Sequence, residues 1–458
     1  MKSTTFSLFT IALAVLCNTG LQADESWVVD STESWKQATK SKKNIEIKNG
    51  VAVPTKPEAS FKSTVKSYNE KKSANSIIFS QTSLWENWKE VPKVGPKDVN
   101  DAPVLVTVKD KDYWFLARHD KKDEATGKAI PGYHAWHSTD MENWTHYGPV
   151  TDHRSRWVTT AEYVDGAFYI YYDYPNDEDP HVFVDRDLTD GKLGEDMGMV
   201  FYDPSHGSDC AMIRDDDGQF HIIYENWSHI DAKHHSWDSP VAGHAVSPDG
   251  LSKFEILDYA VDDRTTPTGK FATFNHPFNP EIMRYEIHEP TQNAYGDWTA
   301  LKVGQQYYLF CDYHPANDEI RIGRWTSDSL NNQFTWCGEL GNGHPDPTIA
   351  FAEGQFYLIQ QRAKTDFISP GPWVDGVEAR VGVDTSGNGK TNQWTDWQVV
   401  EESYSQKEGF TRIVETAPAQ IDLTTLPAGY GFQIEYRTQG VADQTALPKI
   451  NAFTLSFQ

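Results

Sequence analysis

The sequence predicts an all-β protein with the β-propeller fold, and three observations support this prediction. One hairpin pattern occurs five times: a small or acidic residue, an apolar strand, a polar turn and a second strand rich in aromatic residues. The first aromatic residue after each turn recurs about every 50 residues, with one longer interval. Aromatic residues make up 13% of the 458 residues, a composition typical of strands. Four-stranded units at this spacing are typical of propeller blades.

The five hairpins follow one another in order along the chain. They cover residues 101–119, 160–174, 208–226, 296–313 and 344–362. A third strand follows several of them, as in the runs GYHAWHST and GHAVSPDG. The polar segment between Asp249 and Gly296 is expected to form a long loop over one face of the propeller.

The number of blades depends on the two ends of the chain. Residues 24–100 and 395–458 contain further strand patterns, such as NIEIKNGVAVP and GYGFQIEYRT. A propeller is often closed by pairing the two chain ends in one blade, which removes exposed strand edges. We therefore expect a single seven-bladed domain over residues 24–458, closed by its N- and C-terminal strands. Five blades with a small terminal β-sandwich is the alternative.

The net charge and residues 1–23 indicate the kinds of partner and the location of the protein. The chain has 41 Lys and Arg against 66 Asp and Glu, a net charge of -25. This acidity disfavours nucleic acids and anionic membranes as partners, because phosphate groups bind clustered Lys and Arg. Residues 1–23 resemble a secretory signal, with Lys2, an apolar run over 6–16 and a small-residue cleavage site. We expect a secreted or periplasmic protein, with no membrane association, that is a monomer.

The topology of the hairpins predicts one functional rim. The start of each inner strand and the end of each second strand lie at the same end of a blade, so polar residues at these positions converge. Convergent titratable groups at a concave rim favour a functional site. The rim residues include Asp101, Glu162, Asp209, Asp297 and Asp346 at inner-strand starts, His119, Tyr174, Tyr224, Cys311 and Asp312 at second-strand ends, and His134, His181 and His244 at third-strand starts.

Two chemistries fit such a rim. Glycoside hydrolysis needs a carboxylic acid and a second carboxylate across the sugar, and Asp101 with Asp209 would supply that pair. β-Elimination on a uronate-containing polysaccharide needs a base, an acid and groups that neutralise the carboxylate, and His and Tyr suit the first two roles. A non-catalytic glycan-binding propeller, with aromatic rings stacked on sugars, is a third possibility.

The runs YWFLARHD, GYHAWHST, FYIYYDY, IIYENWS and GHAVSPDG resemble the propeller ulvan lyases of marine bacteria, over most of the chain after residue 23. That resemblance implies an exported, seven-bladed polysaccharide lyase. Its substrate would be ulvan or a related sulfated, uronate-containing algal polysaccharide, an acidic partner. A related dehydratase or a hydrolase on the same scaffold is the alternative.

The resemblance also assigns roles to individual residues. His119, His134 and Tyr174 match catalytic positions, and we assign the base and the acid to His119 and Tyr174 without deciding which is which. Binding positions are matched by Tyr224 and His244, which would extend the groove. The uronate would be neutralised by His181, with Arg154 and Arg156 on a nearby loop.

One metal site is expected. Cys311, with His344, Asp297 and His276, would supply the mixed ligand set that suits tetrahedral Zn²⁺. The spacing of these residues is not diagnostic, and a buried free Cys311 that behaves as a small apolar residue is the alternative. The resemblance, in a family with a structural metal ion, favours a structural zinc site.

Overall fold

The structure is a computed structural model. No helix among the residues it describes is long and apolar enough to cross a membrane. It describes residues 26–81, 88–91, 94–97, 99–119, 125–128, 130–152, 157–174, 179–203, 205, 207–227, 239–264, 272–273, 286–287, 293–315, 320–340, 346–361, 365–370, 376–438 and 447–458.

The chain begins with one helix and several short strands. Ser31 caps the helix α1 (Thr32–Ala38), because its hydroxyl accepts a hydrogen bond from the backbone N–H of Ser34 while the Ser34 hydroxyl accepts one from the backbone N–H of Ser31. The strands are β1 (Trp27–Val29), β2 (Thr39–Lys43), β3 (Ile45–Lys48), β4 (Val51–Pro54), β5 (Ser60–Ser63), β6 (Lys66–Lys72) and β7 (Ala74–Gln81).

Two four-stranded antiparallel sheets follow, and each is one blade with its strands paired in chain order. A short strand, β8 (Trp88–Glu90), precedes them. Blade 1 consists of β9 (Val99–Lys109), β10 (Asp112–His119), β11 (Tyr133–Ser138) and β12 (Thr145–Pro149). Blade 2 consists of β13 (Trp157–Val164), β14 (Ala167–Asp173), β15 (Pro180–Asp185) and β16 (Glu195–Met199).

Three more sheets of the same kind complete the propeller. Blade 3 consists of β17 (Ser208–Arg214), β18 (Phe220–Glu225) and β19 (Val241–Ser247), with β20 (Glu255–Ile256) and β21 (Val261–Asp262) both paired to β19. In the insertion, β22 (Ala272–Thr273) pairs with β23 (Glu286–Ile287). Blade 4 consists of β24 (Ala294–Val303), β25 (Gln306–His314), β26 (Arg321–Ser327) and β27 (Thr335–Leu340). Blade 5 consists of β28 (Thr348–Ala352), β29 (Gln355–Gln361) and β30 (Thr365–Pro370).

Blades 5 and 1 close the ring. Strand β8, which precedes blade 1 in the chain, pairs with β30 as the fourth strand of blade 5. Buried apolar residues fill the interfaces between neighbouring blades, including the one between blades 5 and 1, where Leu105 and Phe115 pack with Tyr357 and Ile359. Five clusters of this kind, one for each interface, join the five blades. The all-β propeller predicted from the hairpin repeat is confirmed.

The C-terminal strands do not add blades. They are β31 (Val377–Asp384), β32 (Gln393–Trp394), β33 (Gln398–Val399), β34 (Ser403–Gln406), β35 (Ile413–Ala417), β36 (Ala419–Asp422), β37 (Gly429–Thr438) and β38 (Ile450–Phe457). Except for β34 and β35, they join β1–β7 in two sheets. The two sheets share an aromatic core in which Phe61 stacks on Tyr436 and Trp35 meets Phe453 edge to face.

The expected seven-blade count is therefore wrong, and the alternative of five blades with a terminal sandwich describes the structure. The physical reason is that blades 1 and 5 already contact each other through a common core. No gap remains in the ring for two more blades, so the terminal strands form a core of their own.

One C-terminal hairpin returns to the propeller and closes its central channel. We call residues 403–417, which contain β34 and β35, the plug hairpin. Strand β35 pairs in parallel with β24, the inner strand of blade 4. The buried guanidinium of Arg412 donates to Thr160 on the inner strand of blade 2 at 2.9 Å and lies 2.9 Å from the carboxylate of Glu162. Arg412 also donates to the carbonyl of Ala300 on the inner strand of blade 4, at 3.4 Å. Because blades 2 and 4 are not neighbours, a residue that contacts both inner strands lies within the channel. Glu162, expected on the rim, is instead part of this buried ion pair.

Candidate functional site

Three aspartates lie at the starts of the inner strands of blades 3, 4 and 5. Asp209, Asp297 and Asp346 adopt the left-handed backbone conformation, with φ of 38°, 48° and 55°. This conformation costs a non-glycine residue about 1 kcal/mol or more, and Asp is among the residues that tolerate it best. All three side chains are half-buried, so their carboxylates are within reach of a ligand at the channel mouth.

A carboxylate of the preceding blade holds each of these backbones. The N–H of Asp297 donates to Glu225 at 2.8 Å, and the N–H of Asp346 donates to Asp312 at 2.8 Å. Glu225 and Asp312 are buried residues at the ends of second strands. A hydrogen bond from a backbone N–H to a carboxylate is stronger than one between neutral groups, which offsets the cost of the left-handed conformation.

The same arrangement occurs one blade earlier. Asp173, at the end of the second strand of blade 2, accepts hydrogen bonds from the N–H of Asp209 at 3.2 Å and from the hydroxyl of Ser208 at 2.7 Å. We call Asp173, Glu225 and Asp312 the latch carboxylates. They fix the backbone positions of the three rim aspartates, Asp209, Asp297 and Asp346.

The rim aspartates of adjacent blades come close together. One carboxylate oxygen from each of Asp209, Glu225 and Asp297 lies within 4.8 Å of the others. The same holds for Asp297, Asp312 and Asp346, so Asp297 belongs to both groups. Carboxylates at this distance repel one another when all are ionised, and such a site favours holding a proton on one of them.

The backbone before Asp209 is fixed by a buried carboxylate. Asp203 accepts hydrogen bonds from the N–H groups of Ser205, Gly207 and Ser208 and from the Ser205 hydroxyl. Complete burial raises the pKa of Asp203 to about 6, although these hydrogen bonds act in the opposite direction. These hydrogen bonds fix the backbone of the described residues Ser205, Gly207 and Ser208, which lead into Asp209.

In blade 1, the structure brings together two of the predicted catalytic residues. The ring centres of His119 and His134 are 5.6 Å apart. His134 is buried, and its Nδ1 lies 2.9 Å from Nε2 of His146, a third member of the cluster that the sequence analysis missed. Burial, followed by the neighbouring His146 and His119, lowers the pKa of His134 to about 4. His134 is therefore a neutral side chain and not a positively charged partner for a uronate.

In blade 2, the predicted residues Tyr174 and His181 also lie side by side. Their ring centres are 5.9 Å apart in an edge-to-face arrangement, and Tyr174 is 40% exposed. The Nδ1–H of His181 donates to the carbonyl of Asp179 at 2.8 Å, which fixes its tautomer. Tyr174 and His181 thus form an accessible polar edge of the rim.

Tyr224 and His244, predicted to extend the groove, are both 2% exposed. The Tyr224 ring packs between blades 2 and 3 against Phe201, at 5.2 Å, and lies over Gly243. His244 is hydrogen-bonded inside blade 3 to His221, with 2.9 Å between Nε2 and Nδ1. Tyr224 is covered by blade 2, and His244 lies on the outer side of blade 3, so neither of them lines a groove at the rim.

Of the four residues of the expected zinc site, only Cys311 and Asp297 lie within the described residues. Cys311 is fully buried in the apolar core between blades 3 and 4, whereas Asp297 lies among carboxylates. Cys311 and Asp312 are consecutive in β25 and so point to opposite faces of the sheet. Four predicted residues, Arg154, Arg156, His276 and His344, lie outside the described residues, as does the side chain of Asp101.

The buried histidines predict acid sensitivity. Burial lowers the pKa of His134 to about 4 and, with the neighbouring His221, that of His244 to about 3. Below pH ~6.5, the unfolded chain binds protons at these residues that the folded chain does not, so stability falls as pH falls. We expect a loss of about 2 kcal/mol per histidine between pH ~7 and ~4.5, measured by urea unfolding.

The variants His134→Asn and His244→Gln keep an amide near the hydrogen-bonding nitrogen. Each should reduce the loss of stability as the pH falls. His137→Asn is the matched control, because His137 is only partly buried and has the carboxylate of Asp112 as partner at 3.1 Å. An unchanged pH profile in both variants would contradict the prediction.

Comparisons with known proteins give structural matches only. No family model matches the sequence, and no curated protein matches it. The chain is similar to an α-L-arabinofuranosidase from Clostridium thermocellum, with 17% identity, a TM-score of 0.37 and coverage of 57% of this chain and 82% of the other. It is also similar to an arabinanase from Bacillus subtilis, with 14% identity, a TM-score of 0.38 and coverage of 61% and 97%. An α-L-arabinanase from Cellvibrio cellulosa, complexed with arabinohexaose, shows 16% identity, a TM-score of 0.40 and coverage of 62% and 93%.

These matches correct one expectation. The enzymes are glycoside hydrolases and not lyases, which contradicts the prediction of a polysaccharide lyase. These matches do not support the resemblance to the ulvan lyases in particular. The TM-scores are below 0.5, so the fold described above rests on the strand pairing of this chain itself.

Proposed function

We propose that the protein is a glycoside hydrolase that uses the rim aspartates of blades 3, 4 and 5. The observation that supports this most is the convergence of Asp209, Asp297 and Asp346, three accessible carboxylates that the latch carboxylates hold in place. Hydrolysis of a glycosidic bond needs two carboxyl groups with different protonation at a fixed separation. Of the two carboxylates first chosen from the sequence, Asp209 lies in this group.

Asp297 has the central role in this proposal. It lies between Asp209 and Asp346, and its carboxylate is within 4.8 Å of each. A proton held by one member of such a pair can be donated to the glycosidic oxygen, while the ionised neighbour attacks the anomeric carbon. The short spacing is nearer to the separation of about 5–5.5 Å in retaining enzymes than to the wider separation in inverting enzymes.

The sugar chain would extend from this centre along the rim. Tyr174 and His181 offer an exposed ring and a hydrogen-bonding edge in blade 2, and His119 lies at the corresponding end of blade 1. Aromatic rings of this kind suit sugar faces. A secreted or periplasmic location, the monomeric state and an acidic algal polysaccharide as substrate remain predictions.

The test is an assay on a panel of algal and plant polysaccharides that follows reducing ends and the ultraviolet absorbance of unsaturated uronates in parallel. We expect reducing ends to rise without unsaturated product, and proton NMR to show that the released sugar keeps its anomeric configuration. Inversion would indicate instead that Asp209 and Asp346, on either side of Asp297, form the reacting pair. Binding of a polysaccharide without any product would favour the glycan-binding alternative over hydrolysis.

A further inference from the structure

A polar cavity lies on the outer side of the propeller, between blades 3 and 4, away from the rim aspartates. Its volume is about 350 Å³, and the loop after β20 in blade 3 faces the loop before β27 in blade 4 across it. The two loops are joined by a hydrogen bond from the N–H of Phe334 to the carbonyl of Ala260 at 2.8 Å. The cavity shares no residue with the rim aspartates. Its described lining includes His244, Asp258, Tyr259, Asp262, Asn331 and Gln333.

A chain of hydrogen bonds runs from the Asp215 carboxylate through His221 to His244 at this cavity. Asp215 accepts a hydrogen bond from Nε2 of His221 at 3.3 Å, which places the His221 proton on Nε2. Nδ1 of His221 is then an acceptor, so it receives the proton of His244 Nε2 across 2.9 Å. Burial lowers the pKa of both histidines, which keeps the two rings neutral. The Asp215 carboxylate thus sets the tautomer of His244, although the two residues are not in contact.

His244 Nδ1 is therefore a fixed hydrogen-bond acceptor at the cavity wall. With its proton on Nε2, His244 carries a lone pair on Nδ1, and Nδ1 has no hydrogen-bond partner in the described part of the chain. A nitrogen of a neutral, buried imidazole accepts a hydrogen bond from a hydroxyl group and offers nothing to an anion.

The lining restricts the class of ligand. Its described residues include no Lys or Arg. The nearby guanidinium of Arg264 is already paired with Asp262 at 2.5 Å, so phosphate, sulfate and uronate groups lack an unpaired cation in the described lining. Apart from Tyr259, the lining residues are polar, which disfavours an apolar ligand. The lining has two carboxylates, Asp258 and Asp262, of which Asp262 is paired with Arg264 at 2.5 Å, and no group of three metal-ligating side chains is found among its described residues, which disfavours a cation. A neutral polyhydroxylated compound remains, because each hydroxyl can donate to His244 or Asp258 and accept from Asn331 or Gln333.

We propose that this cavity is a second saccharide-binding site that takes one neutral sugar ring, with His244 Nδ1 accepting a hydrogen bond from a sugar hydroxyl. The site lies apart from the proposed hydrolytic centre and does not depend on it. A cavity of this size is at the small end of ligand sites, which suits a single ring. Its location would anchor a polysaccharide on the side of the propeller.

Binding is tested by calorimetry on the full-length protein with arabinose, xylose and galactose, and with glucuronate, phosphate and Ca²⁺ as competitors of other classes. We expect at least one neutral sugar to bind, and Asp258→Ala to weaken binding about tenfold. Glu255→Ala is the matched control, since Glu255 is an exposed carboxylate of the adjacent strand that does not line the cavity. Asp297→Asn should leave this binding unchanged, which separates it from the hydrolytic site.

The tautomer chain has its own test. In Asp215→Asn, the amide donates to His221 Nε2, so both histidines take the opposite tautomer and His244 Nδ1 becomes a donor. Nitrogen NMR of the histidine-labelled protein reports this exchange directly, with His244→Gln to assign the resonance. We expect the exchange together with weaker sugar binding. Three results would each overturn the proposal: no neutral sugar binds, only the anions or Ca²⁺ bind, or Asp297→Asn abolishes sugar binding while Asp258→Ala does not.

Discussion

Replacing Asp297 with asparagine is expected to lower the rate of glycoside hydrolysis by about 10²–10⁴-fold. Asp297 lies between Asp209 and Asp346, so each possible reacting pair of adjacent rim aspartates includes it. The amide fills the same volume but neither donates a proton to the glycosidic oxygen nor attacks as a carboxylate. The measurement is the release of reducing ends at saturating substrate, on a polysaccharide identified in the panel assay.

The matched control is Asp217→Asn, because Asp217 is an exposed aspartate in the turn at the opposite end of blade 3. Glu225→Gln provides a second comparison, since glutamine can still accept the backbone hydrogen bond of Asp297 but carries no charge. We expect Glu225→Gln to retain more activity than Asp297→Asn. If Asp297→Asn retains full activity while the enzyme remains folded, the proposal that Asp297 is one of the two reacting carboxylates is wrong.

The ring of blades could be predicted from the sequence because the repeat is local. Each hairpin carries its own alternation and turn, so the first strands of every blade were correctly located, as in 101–119 for β9 and β10. The blade count could not be predicted in this way. The end strands β1–β7 and β36–β38 resemble blade strands in composition, and only their long-range pairing, such as Phe79 with Phe453, shows that they form a sandwich.

The rim site could be predicted only in part, because some of its contacts join different blades. Acidic residues at inner-strand starts are visible in the sequence, and Asp209, Asp297 and Asp346 were placed on the rim. The acidic ends of second strands, as in FYIYYD and FHIIYE, were a usable signal for the latch carboxylates Asp173 and Glu225. Their action across blades, from one second strand to the next inner strand, could not be inferred without the three-dimensional arrangement.

Replacing Arg412 with alanine is expected to destabilise the protein by about 3–5 kcal/mol. Arg412 and Glu162 are 4% and 1% exposed, and the substitution leaves the Glu162 carboxylate buried in the channel without its cation. The cost is the desolvation of an unpaired charge, added to the lost hydrogen bonds to Thr160 and Ala300. Denaturant unfolding of the propeller measures the change.

Arg437→Ala is the matched control, because the Arg437 side chain is 45% exposed in its ion pair with Glu378 and should contribute less to stability than the buried Arg412. Burial raises the pKa of Glu162 and Arg412 opposes that rise, so without Arg412 the carboxyl group should take up a proton more readily. The destabilisation by Arg412→Ala should therefore diminish as pH falls, because a protonated Glu162 no longer has a buried charge. The double variant Arg412→Met with Glu162→Leu should recover most of the lost stability, since it removes both charges from the channel. If the double variant is no more stable than Arg412→Ala, the contribution of Arg412 is packing of the plug hairpin and not charge.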